Sequence, residues 1–163
     1  QMLARIAAAT EPSRLLRHAE TTLKPQTTDY RRNTVDLIAL SVERFLEGME
    51  RPAAVLSPTA SGYTARSIAR FRLPVWILAV SASHKTCQEL LFSYGIWPIH
   101  EQAHPRDWTD YAHHYVQSFQ LPGKSVLQTE GPSPDHPTAN HKIEIIPLTE
   151  TGKAAHCPPA AAL

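Results

Sequence analysis

Apolar and polar positions along the 163-residue chain follow two periods in turn. Near the start, Met2, Leu3, Ile6 and Ala9 recur at helical spacing, Pro12 interrupts, and Leu15 and Leu16 resume the pattern. This predicts one helix ending near Pro12 or two abutting ones. Residues 21–34 are Thr-rich and polar with Pro25 among them, which reads as a linker. A helix is expected over 34–49, with Ile38, Val42, Phe45 and Met49 on one face and Gly48 as its stop. The apolar run 53–56 then reads as a strand that breaks at Pro58. Thr59-Ala60-Ser61-Gly62 forms a small polar loop, and a short helix starts at Thr64, packs through Ala65, Ile68 and Ala69, and ends at Pro74.

The same alternation continues. Residues 75–80 (VWILAV) are continuously apolar, as a strand buried on both faces requires. Ser81-Ala82-Ser83 offers cap residues for a helix whose stripe is Cys87, Leu90, Leu91 and Tyr94, closed by Gly95. Residues 96–100 (IWPIH) are a third strand, in which Pro98 favours a strand end or an edge position. The cleanest amphipathic pattern covers 107–120, through Trp108, Tyr111, Ala112, Tyr115, Val116 and Phe119. After the Pro122-Gly123 turn, 125–129 is a fourth strand, 130–140 a loop with three prolines, and 141–148 a last strand able to pair antiparallel with the fourth. Residues 149–163 read as a flexible tail. There is no internal repeat.

Strands and helices that alternate in this way define a three-layer α/β/α sandwich around a mostly parallel five-stranded sheet with an antiparallel C-terminal strand. Ligands of such sheets sit beyond the carboxyl ends of the strands, where 59–64, 81–83 and 129–140 are expected to converge. In the first of these loops, a helix start offers unpaired N–H groups, the hydroxyls of Thr59, Ser61 and Thr64 add donors, and Gly62 lets the backbone come close. The loop Thr59, Ala60, Ser61, Gly62, Tyr63, Thr64 therefore suits a phosphate. A turn of this composition also caps a helix with no ligand present, and the residues alone leave both readings open.

Composition narrows the partners. A hydrophobic content of 42% suits one compact domain, and Lys plus Arg exceed Asp plus Glu by only 16 to 15, so no broad positive field exists to hold nucleic acid or an anionic membrane. No apolar segment reaches membrane length. Two distant cysteines, Cys87 and Cys157, suggest neither a metal pair nor a disulfide framework, which favours a reducing, cytoplasmic setting; Cys87 reads as a packed thiol. Neither His113-His114 nor His100 with His104 has the geometry of a metal site, and Ser61 lacks the flanking glycines and acid–base partners of a hydrolase nucleophile. A first residue of Gln rather than Met suggests a piece of something longer.

The run Pro58-Thr-Ala-Ser-Gly-Tyr-Thr-Ala-Arg66, followed by Ala69-Arg-Phe-Arg72, Ala79-Val80-Ser81 and Phe92-Ser-Tyr-Gly-Ile-Trp-Pro98, resembles the C-terminal domain of bacterial pyruvate kinases. The resemblance runs on through 107–116 to the terminal hairpin. Residues 1–10 are similar to the last helix of that family's catalytic barrel, so 1–20 are expected to be a remnant of the barrel and 35–148 the C-terminal domain. The resemblance implies a glycolytic parent enzyme that transfers phosphate from phosphoenolpyruvate to ADP in a barrel using magnesium and potassium. None of that machinery is expected in this chain, which on this reading has no catalytic residues, metal or cofactor of its own. It further implies a regulatory domain that meets its own barrel, assembles into a homotetramer, and holds a phosphate or sugar-phosphate effector on the loop 59–64.

This sequence departs from the fructose-bisphosphate-activated pattern at Tyr63, Tyr115 and Gly131-Pro132, where cations, or Trp and Arg, are found in the family. Fewer cations weaken a second phosphate site, so a monophosphate, inorganic phosphate or sulfate, or no effector, becomes more credible than a bisphosphate. Trp108 reads as core. The alternative is a stand-alone α/β small-molecule sensor or enzyme that kept this fold without the barrel.

Overall fold

The computed structural model describes residues 34–103, 105, 107–132, 138 and 140–148. The expected N-terminal helix and linker, most of the 130–140 loop and the tail lie outside the described residues. The elements are α1 (Thr34–Gly48), β1 (Pro52–Pro58), α2 (Tyr63–Ala69), β2 (Trp76–Ser81), α3 (His84–Leu90), β3 (Ile96–His100), α4 (Trp108–Ser118), β4 (Ser125–Glu130) and β5 (Lys142–Pro147).

The five strands form one sheet in the order β3-β2-β1-β4-β5. The first four are parallel and β5 runs antiparallel to β4, with Leu127 opposite Ile145. Pro98 indeed lies on an edge strand, where its missing N–H costs no ladder bond. Alternation along the strands feeds two cores. Val55, Ile77, Ala79 and Leu127 point to the face covered by α1, α2 and α3, against Val42, Leu46, Ile68 and Leu90. Leu56, Leu78, Val80 and Val126 point to the opposite face, which is covered by α4 through Ala112 and Val116. Each fully buried aliphatic side chain contributes about 2 kcal/mol of hydrophobic stabilisation. At the hairpin entry, a Cβ on Gly123 would lie 2.5 Å from the Ala53 nitrogen, so only glycine lets the chain pass this close to β1.

Several local expectations shift. β1 ends at Pro58, where the sequence expects it to break off and where a proline forfeits no ladder bond, but α2 begins at Tyr63 rather than Thr64. In α1 the buried residues are Asp36, Ala39, Val42, Glu43 and Leu46, whereas Phe45 is 44% exposed. The buried Asp36 carboxylate accepts from the Arg70 guanidinium just beyond α2, while Val42 of the expected face is fully buried and Ile38 and Met49 pack against the same core, so of that face Phe45 turns outward. α3 stops after two turns, leaving Leu91 at 67% and Tyr94 at 56% exposure instead of buried. The chain must turn at once to reach β3, where the Ile77 N–H donates to the Gly95 carbonyl at 2.8 Å.

Candidate functional site: a cavity at the carboxyl ends of the strands

β1 is the point where the strand order reverses: β2 and β3 lie on one side of it, β4 and β5 on the other. At the carboxyl ends of β1, β2 and β4 lies a cavity of about 650 Å³. Its floor is tied across strands by backbone bonds just past their ends. The Thr59 N–H donates to the Val80 carbonyl at 2.8 Å, and the Glu101 N–H to the Ser81 carbonyl at 3.0 Å.

The β1–α2 loop is held in shape from three sides. Inside it the Gly62 N–H donates to Thr59 Oγ1 at 2.9 Å. From α3, Thr86 Oγ1 donates to the Ala60 carbonyl at 3.0 Å, and from α2, Arg66 Nη2 donates to the Ser61 carbonyl at 2.7 Å. The α2 ladder opens with the Arg66 N–H on the Gly62 carbonyl, so the amides of Tyr63, Thr64 and Ala65 precede it. No side chain caps α2: its N-cap is Gly62 itself. One hydroxyl of the turn thus serves the turn itself, since Thr59 Oγ1 accepts from the N–H of this N-cap residue. Capping does occur at α3, where Ser83 Oγ accepts from the Thr86 N–H, and at α4, where the Asp107 carboxylate accepts from the Thr109 N–H at 2.7 Å.

Thr59, Ala60, Ser61, Tyr63 and Thr64 line the cavity, together with Ser81-Ala82-Ser83 and Thr129 to Pro132. The convergence expected at the strand ends is thus present. Gly62 is not a lining residue. It is buried at φ 75°, and a Cβ there would meet Leu90 Cδ2 at 2.9 Å, so glycine serves the turn and its packing on α3 rather than an approach to a ligand.

Lining residues that were not among the sequence candidates include two groups, Val35 and Ile38 from α1 and Glu101 to Ala103 with Pro105 after β3, and also His141 just before β5. The rule that places loops beyond strand ends at the site covers the second group, since 101–105 follow β3 as 59–64 follow β1. Nothing local marks the first. Trp108 is not core alone. It packs on the α4 face and also lines the cavity. Tyr115 does not line it but joins a run of aromatic contacts from Trp108 through Tyr111, Tyr115 and Phe119 to Trp97, with centroids 4.7–5.6 Å apart.

No Lys or Arg is among the described lining residues, which carry instead the carboxylates of Glu101 and Glu130. Glu130 is paired with Lys142 at 2.7 Å, and this hydrogen bond holds the Lys142 ammonium above its ordinary range. Cys87 is buried, with Sγ 3.8 Å from the Ser81 carbonyl, and burial pushes its thiol up. Among the described residues no three His, Cys, Asp or Glu side chains are placed to hold a metal ion, and no helix is long and apolar enough to cross a membrane.

The fold defines an open α/β domain with a crevice at the switch point of its sheet. Comparison with known proteins supplies the family. Residues 36–140 match the family described as "Pyruvate kinase, alpha/beta domain", which is more than half of the chain. The chain belongs to the pyruvate kinase family, as its C-terminal α/β domain. It is 49% identical over 45 residues to a pyruvate kinase of Thermococcus litoralis, covering 28% of this chain and 10% of that protein. To a pyruvate kinase of Clostridium acetobutylicum it is 32% identical over 69 residues, covering 42% and 14%. Among solved structures, a pyruvate kinase from Cryptosporidium parvum superposes with a TM-score of 0.67 at 17% identity, over 85% of this chain and 26% of that one. The Cryptosporidium parvum pyruvate kinase in complex with ADP gives 0.68 at 17% identity, over 85% and 27%. The chain spans about a tenth to a seventh of the curated relatives it matches and about a quarter of the solved chains.

Proposed function

We propose that this chain is the regulatory and assembly module of a pyruvate kinase and binds a phosphate or sugar-phosphate effector in the switch-point cavity, with the phosphoryl group on the loop Thr59–Thr64. The parent reaction would be phosphate transfer from phosphoenolpyruvate to ADP in a cytoplasmic homotetramer, with magnesium and potassium on the barrel. The observation that carries the binding site is the convergence of five residues of one loop on a 650 Å³ cavity at the strand ends. The loop is braced before any ligand arrives, so binding would cost little ordering entropy. Regulation follows by linkage: an effector that binds one arrangement of the assembled enzyme better than another shifts the equilibrium by its differential affinity.

Thr64→Asp tests the loop. A carboxylate in the first turn of α2 is favoured by the helix dipole, so the fold tolerates it, yet it places negative charge where the phosphoryl group is to sit. Calorimetric titration with glucose 6-phosphate is expected to show saturable binding that falls about tenfold or more in the variant, the scale of one charge-assisted contact reversed in sign. Equal affinity in both proteins would refute the assignment.

A further inference from the structure

Among the described residues, the charged side chains on the cavity wall are carboxylates rather than the cations that two phosphates call for. The described lining residues include no guanidinium or ammonium, and the guanidinium of Arg66 in α2 donates to the Ser61 carbonyl. The two lining carboxylates differ in how they are held. Glu130, at the end of β4, has its charge offset by Lys142 reaching from β5. Glu101, just past β3, forms no ion pair among the described residues. Its backbone is anchored to Ser81 and its side chain is half-buried on the cavity wall, so solvent screens it incompletely. The 59–64 loop follows β1, and β2 lies between β1 and β3. The carboxyl ends of β1 and β3, which the loop and Glu101 follow, are therefore two strand spacings apart, about 10 Å. That is the reach of a hexose phosphate between its phosphoryl group and its far ring substituents.

We infer that Glu101 is a specificity-determining residue of this cavity, receiving hydroxyl or amino donors from the far end of a singly phosphorylated ligand and repelling a second phosphate there. The inference rests on the reading of 59–64 as the phosphoryl end. Discrimination by a like charge placed against the wrong ligand is as effective as added contacts to the right one. An ionised carboxylate accepts only, so it matches ammonium best, hydroxyl next and phosphate worst.

The test is titration of the 163-residue chain with glucosamine 6-phosphate, glucose 6-phosphate and fructose 1,6-bisphosphate, followed by calorimetry, in the parent sequence and in Glu101→Gln. The amide keeps the shape and removes the charge, and a thermal melt checks that the fold is kept. In the parent, affinity is expected to fall in the order given, by about fivefold per step, the size of one partly exposed charge interaction. Glu101→Gln should compress the order, chiefly by tightening the bisphosphate. A bisphosphate bound as tightly as the monophosphate by the parent, or an order unchanged in Glu101→Gln, overturns the inference. Unphosphorylated glucosamine separates it from the loop reading. Binding that Glu101→Gln abolishes and Thr64→Asp spares would remove phosphate from the loop and leave Glu101 in its role, whereas no saturable binding of any of the four compounds overturns both.

Discussion

The two faces of the sheet solve the same burial problem with different materials. On one, three helices bring Ala39, Val42, Leu46, Ala65, Ile68 and Leu90 against Val55, Ile77, Ala79 and Leu127, and small and aliphatic side chains close the gap. On the other, α4 is the one helix among the described residues that covers the sheet, and of its side chains Ala112 and Val116 are buried. Aromatic rings supply the remaining width: Tyr111, Tyr115 and Phe119 flank the helix, and Trp76 and Trp97 extend the contact to the sheet edge, where they stay nearly half exposed. A single helix is about 10 Å across and cannot shield a five-stranded sheet, so large rings that bury area with few rotors take its place. The lesson is that one face is a closed core and the other a partly wet one, and substitutions should cost accordingly.

Leu127→Ala should have the largest effect. Leu127 is fully buried in the three-helix face, and loss of its branch is expected to destabilise by about 3 kcal/mol, read by urea unfolding. A cost below that of a surface substitution would mean that this face is not closed. Arg70→Ala comes next. Asp36 is 2% exposed, and removal of the guanidinium takes a charged partner from its buried carboxylate, at a cost of about 2 kcal/mol. A milder result, with α1 still helical, would show that other contacts hold α1 in place. On the open face, Trp97→Ala loses its edge-on contact with Trp76 and its packing on Phe119, and about 1 kcal/mol is expected, read by thermal melting. If Trp97→Ala cost as much as Leu127→Ala, the contrast between the faces would fail.

Much of this was legible in advance. The two periods, the prolines and the strand-to-helix loops located the nine described elements within a few residues, and β3 over Ile96–His100 matched at both ends. The antiparallel pairing of β5 with β4 followed from the short loop between them. The loops 59–64 and 81–83 and the residues after Thr129 were placed at one site because strand ends in a parallel sheet share one side. The outward turn of Phe45 was not legible, since Ile38, Val42, Phe45 and Met49 offer an apolar stripe as good as the one used, and contacts such as that of Asp36 with Arg70, 34 residues along, leave no trace in local spacing. The exposure of Leu91 and Tyr94 was not legible either, because α3 is cut short by the need to begin β3 rather than by a breaker of its own.

Local spacing by itself determined which segments are strands and helices, and the motifs carried by the β1–α2 and β3 segments determined the family, because both reside in residues adjacent along the chain. The tertiary structure alone decided that Gly62 faces Leu90 instead of a ligand, that Trp108 divides its surface between core and cavity, and that Glu101 enters the same cavity as Thr64. Each of those depends on strand order and helix rotation, which are settled by contacts between residues far apart in sequence, and a periodicity read over a dozen residues carries no record of such contacts.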